Sequence, residues 1–173
     1  MRTRYSKAQG RRLTAYEQIV ERVAASPVGA WTFVHVFNAV DRRLLPLTRG
    51  RVSVAIGAPV GVLESRGART SRRRRIPLLY VLDGDAVVLV ASNGGSPRNP
   101  AWLHNLRGDA DVRFLCRERG WRVYRARVLT GAERARAWDL ATDLYAGYSD
   151  YQGRAAGREI PVVVLEPPVS AGS

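Results

Sequence analysis

The sequence predicts an α+β protein built around a small antiparallel β-barrel. Short apolar runs are separated by turn residues, as at the hairpin signal Asp83-Gly84-Asp85. Helical spacing of apolar residues appears before and between these runs. Neither G-x-G-x-x-G nor G-x-x-x-x-G-K-[ST], the nucleotide loops of many parallel sheets, is present. About six strands, joined mostly as hairpins with helices inserted, therefore fit the chain best.

Residues 1–50 are predicted to be a helical segment that precedes the barrel. Apolar residues recur at helical spacing over residues 16–23 and again over residues 29–45. Ser26-Pro27 between them is typical of a helix cap followed by a first-turn proline. The second helix ends in arginines, so it either packs on the domain or lies on an anionic membrane surface.

Residues 51–166 are predicted to form the barrel domain, and residues 167–173 a tail. The region begins with a weak alternation of apolar and polar residues. Runs rich in β-branched residues follow, bounded by glycine, asparagine or aspartate. Pro100 and Gly131 open the two inserted helices. The predicted strands are 52–56, 60–64, 76–82, 86–91, 111–118, 121–129 and 160–166, and the predicted helices are 101–106 and 131–145.

Charge is the strongest compositional signal. The chain of 173 residues has 28 lysines and arginines against 15 acidic residues, a formal net charge of +13. All but Lys7 of these basic residues are arginine, whose planar fork binds phosphate and carboxylate groups bidentately. This charge favours an anionic partner: nucleic acid, anionic lipid or a polyanionic small molecule.

Other residue counts exclude several classes. One cysteine, Cys116, cannot form a disulfide framework or a cysteine-rich zinc module, and two histidines do not favour a metal site. The sequence has no apolar run long enough to span a membrane and no apolar signal-peptide region, so we expect a cytoplasmic protein.

The segment from Arg66 to Arg75 contains six arginines in ten residues, between two apolar strands. In an extended chain Arg72 and Arg74 face one way, and Arg73 and Arg75 the other. One face could therefore bind an anionic ligand while the other is solvated. A solvated basic loop and a non-specific nucleic-acid contact are the alternatives, although no aromatic residues interleave for base stacking.

Two further segments could contribute to a site. Small residues at 91–97 let a ligand approach the backbone, and the helix start after Asn99-Pro100 offers free N–H groups to an anion. Tyr145, Tyr148 and Tyr151 recur every three residues and form either an acceptor pocket, with a loop or lid near Gly147, or ordinary packing. His104 is predicted to be a surface residue.

Three motifs in this order resemble the deazaflavin-dependent nitroreductase family. They are Gly67 to Tyr80, ending in Ile76-Pro77-Leu78-Leu79-Tyr80; Ala91 to Gly95 with Asn99 to Trp102; and Tyr145 to Tyr151 followed by Arg158 to Leu165. The resemblance implies a split β-barrel that binds coenzyme F420, whose reduced form gives a hydride to quinones and to nitroaromatic compounds. The phosphate and polyglutamate tail of that coenzyme would account for the basic charge.

The resemblance also implies a site. Tyr145, Tyr148 and Tyr151 would face the acceptor, and a tyrosine hydroxyl or Ser92 would polarise it or relay a proton. Ala68, Ser71 and Leu103 depart from the family pattern. The residues implied to bind the cofactor are Arg69, Thr70, Arg74, Arg75, Ile76, Pro77, Leu78, Ala91, Ser92, Asn93, Ala101, Trp102 and Asn105.

Three alternatives remain open at this point. An FMN-binding split barrel would share the fold, a basic nucleic-acid-binding module would share the charge, and a carrier would bind the deazaflavin without turnover. The sequence does not indicate an oligomeric state.

Overall fold

The computed structural model describes residues 46–47 and 59–168. The predicted helices of residues 1–45 and the weak strand at 52–56 lie outside the described residues. The predicted boundaries of the helical segment, the barrel domain and the tail stay predictions.

Six strands and three α-helices follow one another in the described part of the chain. The β-branched runs form the strands, and the helices begin just after Pro100, Thr130 and Ala146. The strands are β1 (Val60–Arg66), β2 (Arg73–Asp83), β3 (Ala86–Val90), β4 (Asp111–Cys116), β5 (Gly120–Val128) and β6 (Val162–Glu166). The helices are α1 (Ala101–Gly108), α2 (Gly131–Leu144) and α3 (Gly147–Arg154), and a short 3₁₀ turn spans Asn93–Gly95.

The six strands close into a barrel in the order β1-β2-β3-β6-β5-β4, with β4 returning to β1. Every strand pair is antiparallel. Tight turns join β2 to β3 at Gly84 and β4 to β5 before Gly120, both with positive φ. The prediction of an α+β split barrel with inserted helices is confirmed.

The barrel interior is filled by alternate side chains of all six strands. Leu63, Leu89 and Phe114 are fully buried there, and Tyr80 meets Phe114 edge-on at 5.5 Å. The α1 helix connects β3 to β4 and buries Trp102, Leu103 and Leu106 in the same core. It therefore lies across the end of the barrel at which β3 finishes and β4 starts.

The other two helices cover the outer face of β2, β3 and β6. Val88 and Val164 pack with Ala137 of α2, while Val90 packs with Tyr148 and Tyr151 of α3. This layer fixes α3, with Tyr148 and Tyr151, against the barrel wall, and Tyr145 just before α3 packs on the same cluster.

Candidate functional site

Three of the segments singled out from the sequence meet at the end of the barrel that carries α1. These are the arginine loop (residues 66–75), the 91–99 loop and α1 itself. The backbone N–H of Ala68 donates to Asn105 Oδ1 at 3.1 Å, which ties the arginine loop to α1. Asn105 therefore lies beside the start of the arginine loop.

A tight turn shapes the arginine loop. Gly67 N–H donates to the Arg72 carbonyl at 2.9 Å, and Ser71 N–H donates to the Gly67 carbonyl at 2.7 Å. Ser71 has φ 52°, a left-handed conformation that glycine favours, so the turn forms although serine stands here. A Cβ at Gly67 would lie 2.9 Å from Thr70 Oγ1 and 3.6 Å from Arg74 Nε. Thr70 and Arg74 thus flank the same turn.

The arginine loop keeps most of its positive charge uncompensated. Arg69, Arg72 and Arg74 are exposed and make no ion pair with a carboxylate of residues 59–168. Arg66, by contrast, lies 3.6 Å from Asp109. Three free guanidinium groups at one turn are suited to phosphate or carboxylate groups of a ligand.

The structure places Arg75 on the opposite face from Arg74. Arg75 Nε donates to Glu64 at 2.7 Å, and Arg73 and Arg113 reach the same carboxylate at 3.4 and 3.5 Å. Glu64 is only 4% exposed, and Arg75 and Arg113 both lie over the Trp121 ring. This ion-pair cluster around Glu64 lies on the outer face of the barrel and includes Arg75. Sequence analysis did not predict it.

An apolar wall adjoins the arginine loop. Ile76 and Leu78 are half-buried and pack on the core that holds Trp102. Pro77 is buried on the other side of β2, opposite Val62 of β1. Because successive side chains of a strand point to opposite faces, Pro77 lies on the face of β2 opposite to that of Ile76 and Leu78.

The first turn of α1 adds both an exposed and a buried residue to this end of the barrel. Ala101 is exposed at the start of the helix, and Trp102 is 5% exposed. Ala91 is fully buried at the end of β3, so it supports the site from below.

The 91–99 loop folds around the 3₁₀ turn. Asn93, Gly94 and Gly95 have φ values of 49°, 63° and 81°, three consecutive left-handed residues. Asn93 Nδ2 donates to the Arg98 carbonyl at 3.0 Å, and Ser92 is half-buried. The loop is therefore well defined, and Ser92 and Asn93 lie at its turn.

Arg158 binds this loop through several hydrogen bonds. Sequence analysis did not predict it as a site residue. Its guanidinium donates to the carbonyls of Ser92 and Ser96 at 3.1 and 2.7 Å and to Asn99 Oδ1 at 2.8 Å. Burial lowers the pKa of the Arg158 guanidinium. The available signal was its place at the start of the second part of the third motif, Arg158 to Leu165.

The three tyrosines form one cluster. Tyr145 and Tyr148 meet edge-on at 5.2 Å, Tyr151 lies 5.9 Å from Tyr145, and the hydroxyls of Tyr145 and Tyr151 are 3.2 Å apart. Tyr148 and Tyr151 are 5% and 9% exposed, and Tyr145 is half-buried. Burial and the neighbouring Tyr151 raise the pKa of Tyr145, so its hydroxyl stays protonated and can donate a hydrogen bond.

Tyr148 and Tyr151 lie on an ordered helix rather than a loop, and Tyr145 is the extended residue between α2 and α3. A Cβ at Gly147 would lie 2.4 Å from the Tyr145 ring, so glycine is needed there for the ring to fold back onto α3. Helix α3 also packs closely on the 3₁₀ turn. A Cβ added at Gly95 would lie only 3.0 Å from the Tyr151 carbonyl oxygen. The tyrosine cluster and the 91–99 loop are thus neighbours.

The remaining candidates lie apart from this site. His104 is exposed on α1, as predicted. Cys116 is 1% exposed at the end of β4, and burial raises the pKa of its thiol. Among the described residues, no helix is both long and apolar enough to span a membrane.

The residues brought together fit an extended anionic cofactor. Arg69, Arg72 and Arg74 offer guanidinium donors, Thr70 a hydroxyl and Asn105 an amide, all around one turn beside the apolar wall. Phosphate and carboxylate groups at one end of a ligand and an aromatic ring system at the other match this order. Fold and site together define a split-barrel protein that binds such a cofactor.

Comparison with known proteins identifies the family. The family model described as F420H(2)-dependent quinone reductase matches residues 37–167, and the chain belongs to this family. It is 41% identical over 122 residues to an F420H(2)-dependent quinone reductase of Mycobacterium tuberculosis, covering 68% of this chain and 81% of that protein. The predicted enzyme class, an F420-dependent oxidoreductase, and the predicted cofactor, reduced coenzyme F420, are confirmed, which decides against the FMN alternative.

Solved structures agree with this assignment. An F420-H2-dependent reductase is 33% identical, with a TM-score of 0.56 over 62% of this chain and 94% of that one. A structure described as a domain-swapped dimer is 28% identical, with a TM-score of 0.61 over 82% of this chain and 100% of that one.

Proposed function

We propose that this protein transfers a hydride from reduced coenzyme F420 to a quinone, and that nitroaromatic compounds are further acceptors at the same site. Reduced coenzyme F420 supplies the hydride when bound. The observation that carries the proposal is the adjacency of three uncompensated arginines to the half-buried apolar wall of Ile76 and Leu78. The protein's own task is to bind, orient and desolvate.

The arginine loop would hold the anionic tail of the coenzyme. Arg69 and Arg74 would donate charge-assisted hydrogen bonds to phosphate and carboxylate oxygens, and Thr70 would add a hydroxyl donor. Asn105, fixed by the Ala68 N–H, keeps its amide NH₂ group available as a further donor. The arginine charges also attract the coenzyme over distance, so binding should weaken with salt.

The ring system would lie between the apolar wall and the 91–99 loop. Ile76, Leu78 and Trp102 give an apolar surface on one side. Ser92 and Asn93 supply polar groups on the other, at a turn that glycine keeps open. Arg75 and Pro77, on the opposite face of β2, would support β2 rather than contact the ligand.

The tyrosine cluster would face the acceptor. Tyr145 is the most accessible of the three, and its hydroxyl lies next to that of Tyr151. The pair would donate a hydrogen bond to a quinone or nitro oxygen, where negative charge develops as the acceptor is reduced. Tyr148 would hold the other two rings in place by its edge-on contact.

The acceptor class also suggests where the protein works. A lipid-soluble quinone would be met at the cytoplasmic face of a membrane, and residues 29–45 would provide the interfacial helix predicted from the sequence. The full-length protein should then co-sediment with anionic vesicles at low salt and be released at high salt. Absence of sedimentation at low salt would contradict this contact and favour a helix packed on the domain.

The central experiment is a turnover assay. The protein is mixed with reduced coenzyme F420 and menadione, and oxidation of the coenzyme is followed by its absorbance. We expect oxidation that depends on both protein and quinone. Binding of the coenzyme without any oxidation by menadione or a nitroaromatic compound would refute both proposed acceptors.

The cofactor-binding role of the arginine loop has a matched test. The double variant Arg69→Ala/Arg74→Ala should bind the coenzyme at least about tenfold more weakly, because each charge-assisted contact contributes about 1.5–3 kcal/mol. Arg122→Ala/Arg125→Ala removes the same charge from two exposed arginines on β5 and is the control. Equal loss of affinity in both double variants would mean that the arginine loop acts only through the net charge of the protein, and not through direct contacts with the coenzyme.

The tyrosine role is tested by removing single hydroxyl groups. Tyr145→Phe and Tyr151→Phe should lower turnover with menadione by roughly 10²–10³-fold, the lower part of the range for such assistance, while coenzyme affinity changes much less. Tyr148→Phe is expected to lower turnover less, since its part is to hold the other rings. Wild-type rates in all three variants would make the cluster a packing feature.

A further inference from the structure

Arg158 has an unusual set of partners. Its guanidinium makes hydrogen bonds to the backbone carbonyls of Ser92 and Ser96 and to the side chain of Asn99. A longer contact of 3.5 Å reaches the carbonyl of Ala91. All of these acceptors belong to the 91–99 loop, although they are between 59 and 67 residues away in sequence.

No carboxylate among the described residues pairs with Arg158, so neutral oxygens hold its charge. A planar fork with five N–H donors can reach several carbonyls of one loop at once, which lysine cannot do. An arginine whose only role was to offset surface charge would not be directed at backbone oxygens in this way. The guanidinium acts instead as the internal support of a loop whose turn has three left-handed residues.

The backbone of Arg158 is itself fixed to α3. Gln152 Nε2 donates to the Arg158 carbonyl at 2.7 Å, and Gln152 Oε1 accepts from Ile160 N–H at 2.8 Å. Gln152 follows Tyr151 directly on α3. Arg158 therefore connects the loop that carries Ser92 with the helix that carries a candidate acceptor-binding tyrosine.

We infer that Arg158 is a positioning residue that holds the 91–99 loop in the geometry that binds coenzyme F420. This inference rests on the proposed function, since it takes Ser92 and Asn93 as part of the cofactor site. Arg158 acts through the loop, without contact to the coenzyme.

The experiment compares two arginines that both donate to backbone. Arg158→Gln removes the support of the loop. Arg134→Gln is the control, because Arg134 donates to the Ile160 carbonyl and pairs with Glu159 but makes no hydrogen bond to the 91–99 loop. Coenzyme affinity is measured by fluorescence titration, thermal stability by melting, and KM and kcat with menadione at saturating coenzyme.

Arg158→Gln should raise the dissociation constant of the coenzyme at least about tenfold, as expected for several charge-assisted hydrogen bonds, with the KM for menadione within twofold of wild type. Arg134→Gln should melt lower and bind the coenzyme as wild type does. Arg158→Lys should recover part of the affinity, because it keeps the charge and some donors. A merely structural role would lower the melting temperature of both glutamine variants and leave affinity unchanged in the folded protein.

Other outcomes are equally decisive. Wild-type affinity in folded Arg158→Gln, or an equal affinity loss in Arg134→Gln, overturns the inference. If Arg158→Gln does not fold, Asn99→Ala removes a single acceptor of Arg158, and it should weaken coenzyme binding about threefold; unchanged affinity overturns the inference. Failure of the wild type to reduce menadione would refute the proposed function instead, because the affinity comparison does not depend on turnover.

Discussion

The packing of the 3₁₀ turn against α3 can be tested with two neighbouring glycines. Gly94 and Gly95 both have left-handed φ values, 63° and 81°. A Cβ added at Gly94 meets nothing within 4 Å, whereas one added at Gly95 lies 3.0 Å from the Tyr151 carbonyl oxygen and 3.1 Å from Arg154 Cβ. Gly94→Ala therefore changes conformational preference alone, and Gly95→Ala adds a steric conflict with the backbone of a helix.

The expected magnitudes follow from this difference. An alanine in the left-handed region costs about 1–2 kcal/mol, and the loss of glycine freedom in the unfolded chain returns about 0.4–1 kcal/mol. Gly94→Ala should thus lower the free energy of unfolding by about 1 kcal/mol. Overpacking against a backbone that cannot move aside adds about 1–3 kcal/mol, so Gly95→Ala should lower it by about 2–4 kcal/mol.

Thermal and urea denaturation measure both variants. At roughly 3 °C of Tm per kcal/mol for a chain of this size, Gly94→Ala should melt about 3 °C below wild type and Gly95→Ala about 6–12 °C below. Coenzyme affinity should fall further in Gly95→Ala, because the displaced turn carries Asn93. Equal destabilisation of the two variants would refute the reasoning, since it would mean that the turn does not press on α3.

Three further outcomes are expected from the barrel and its loops. Glu64→Gln should lower the free energy of unfolding by about 1–3 kcal/mol in urea denaturation, because the buried carboxylate loses its short ion pair with Arg75; unchanged stability would show that these arginines are equally well solvated without it. Burial raises the pKa values of Tyr80 and Tyr145 above the ordinary value of 10.0, so their stabilisation is complete below pH 10 and is lost as pH rises further. Tyr80→Phe and Tyr145→Phe should each flatten that loss, and an unchanged slope of stability against pH would contradict it. Ser71→Val should lower the free energy of unfolding by about 1–2 kcal/mol and Ser71→Gly should not, because φ is 52° at this position; equal effects would exclude the left-handed turn.

Much of the barrel could be predicted because its signals are local. Alternation and β-branched runs mark the strands, and Asp83-Gly84-Asp85 marks a turn whose glycine has φ 57°. Pro100 marks the start of α1. The structure extends β2 back to Arg73, since pairing with β1 continues to Arg66 through the arginine-rich segment.

The rest depends on contacts between distant residues. Glu64 is isolated in the sequence, and its partners become visible only when barrel closure sets β1 between Arg75 of β2 and Arg113 of β4. Arg158 meets the 91–99 loop only after β3 and β6 pair. Gly147 weakens a helix by propensity, yet α3 begins at this residue. Glycine is needed there because the Tyr145 ring occupies the space that a side chain would fill.

The buried thiol of Cys116 can report local opening of the barrel. The chain has one cysteine, and it lies 1% exposed at the end of β4 with a raised thiol pKa, so a thiol reagent reaches it only when the barrel wall opens. The rate of modification would therefore report how often the barrel wall opens at β4. Slower labelling in the presence of coenzyme would register ligand binding without any spectroscopic signal from the ligand.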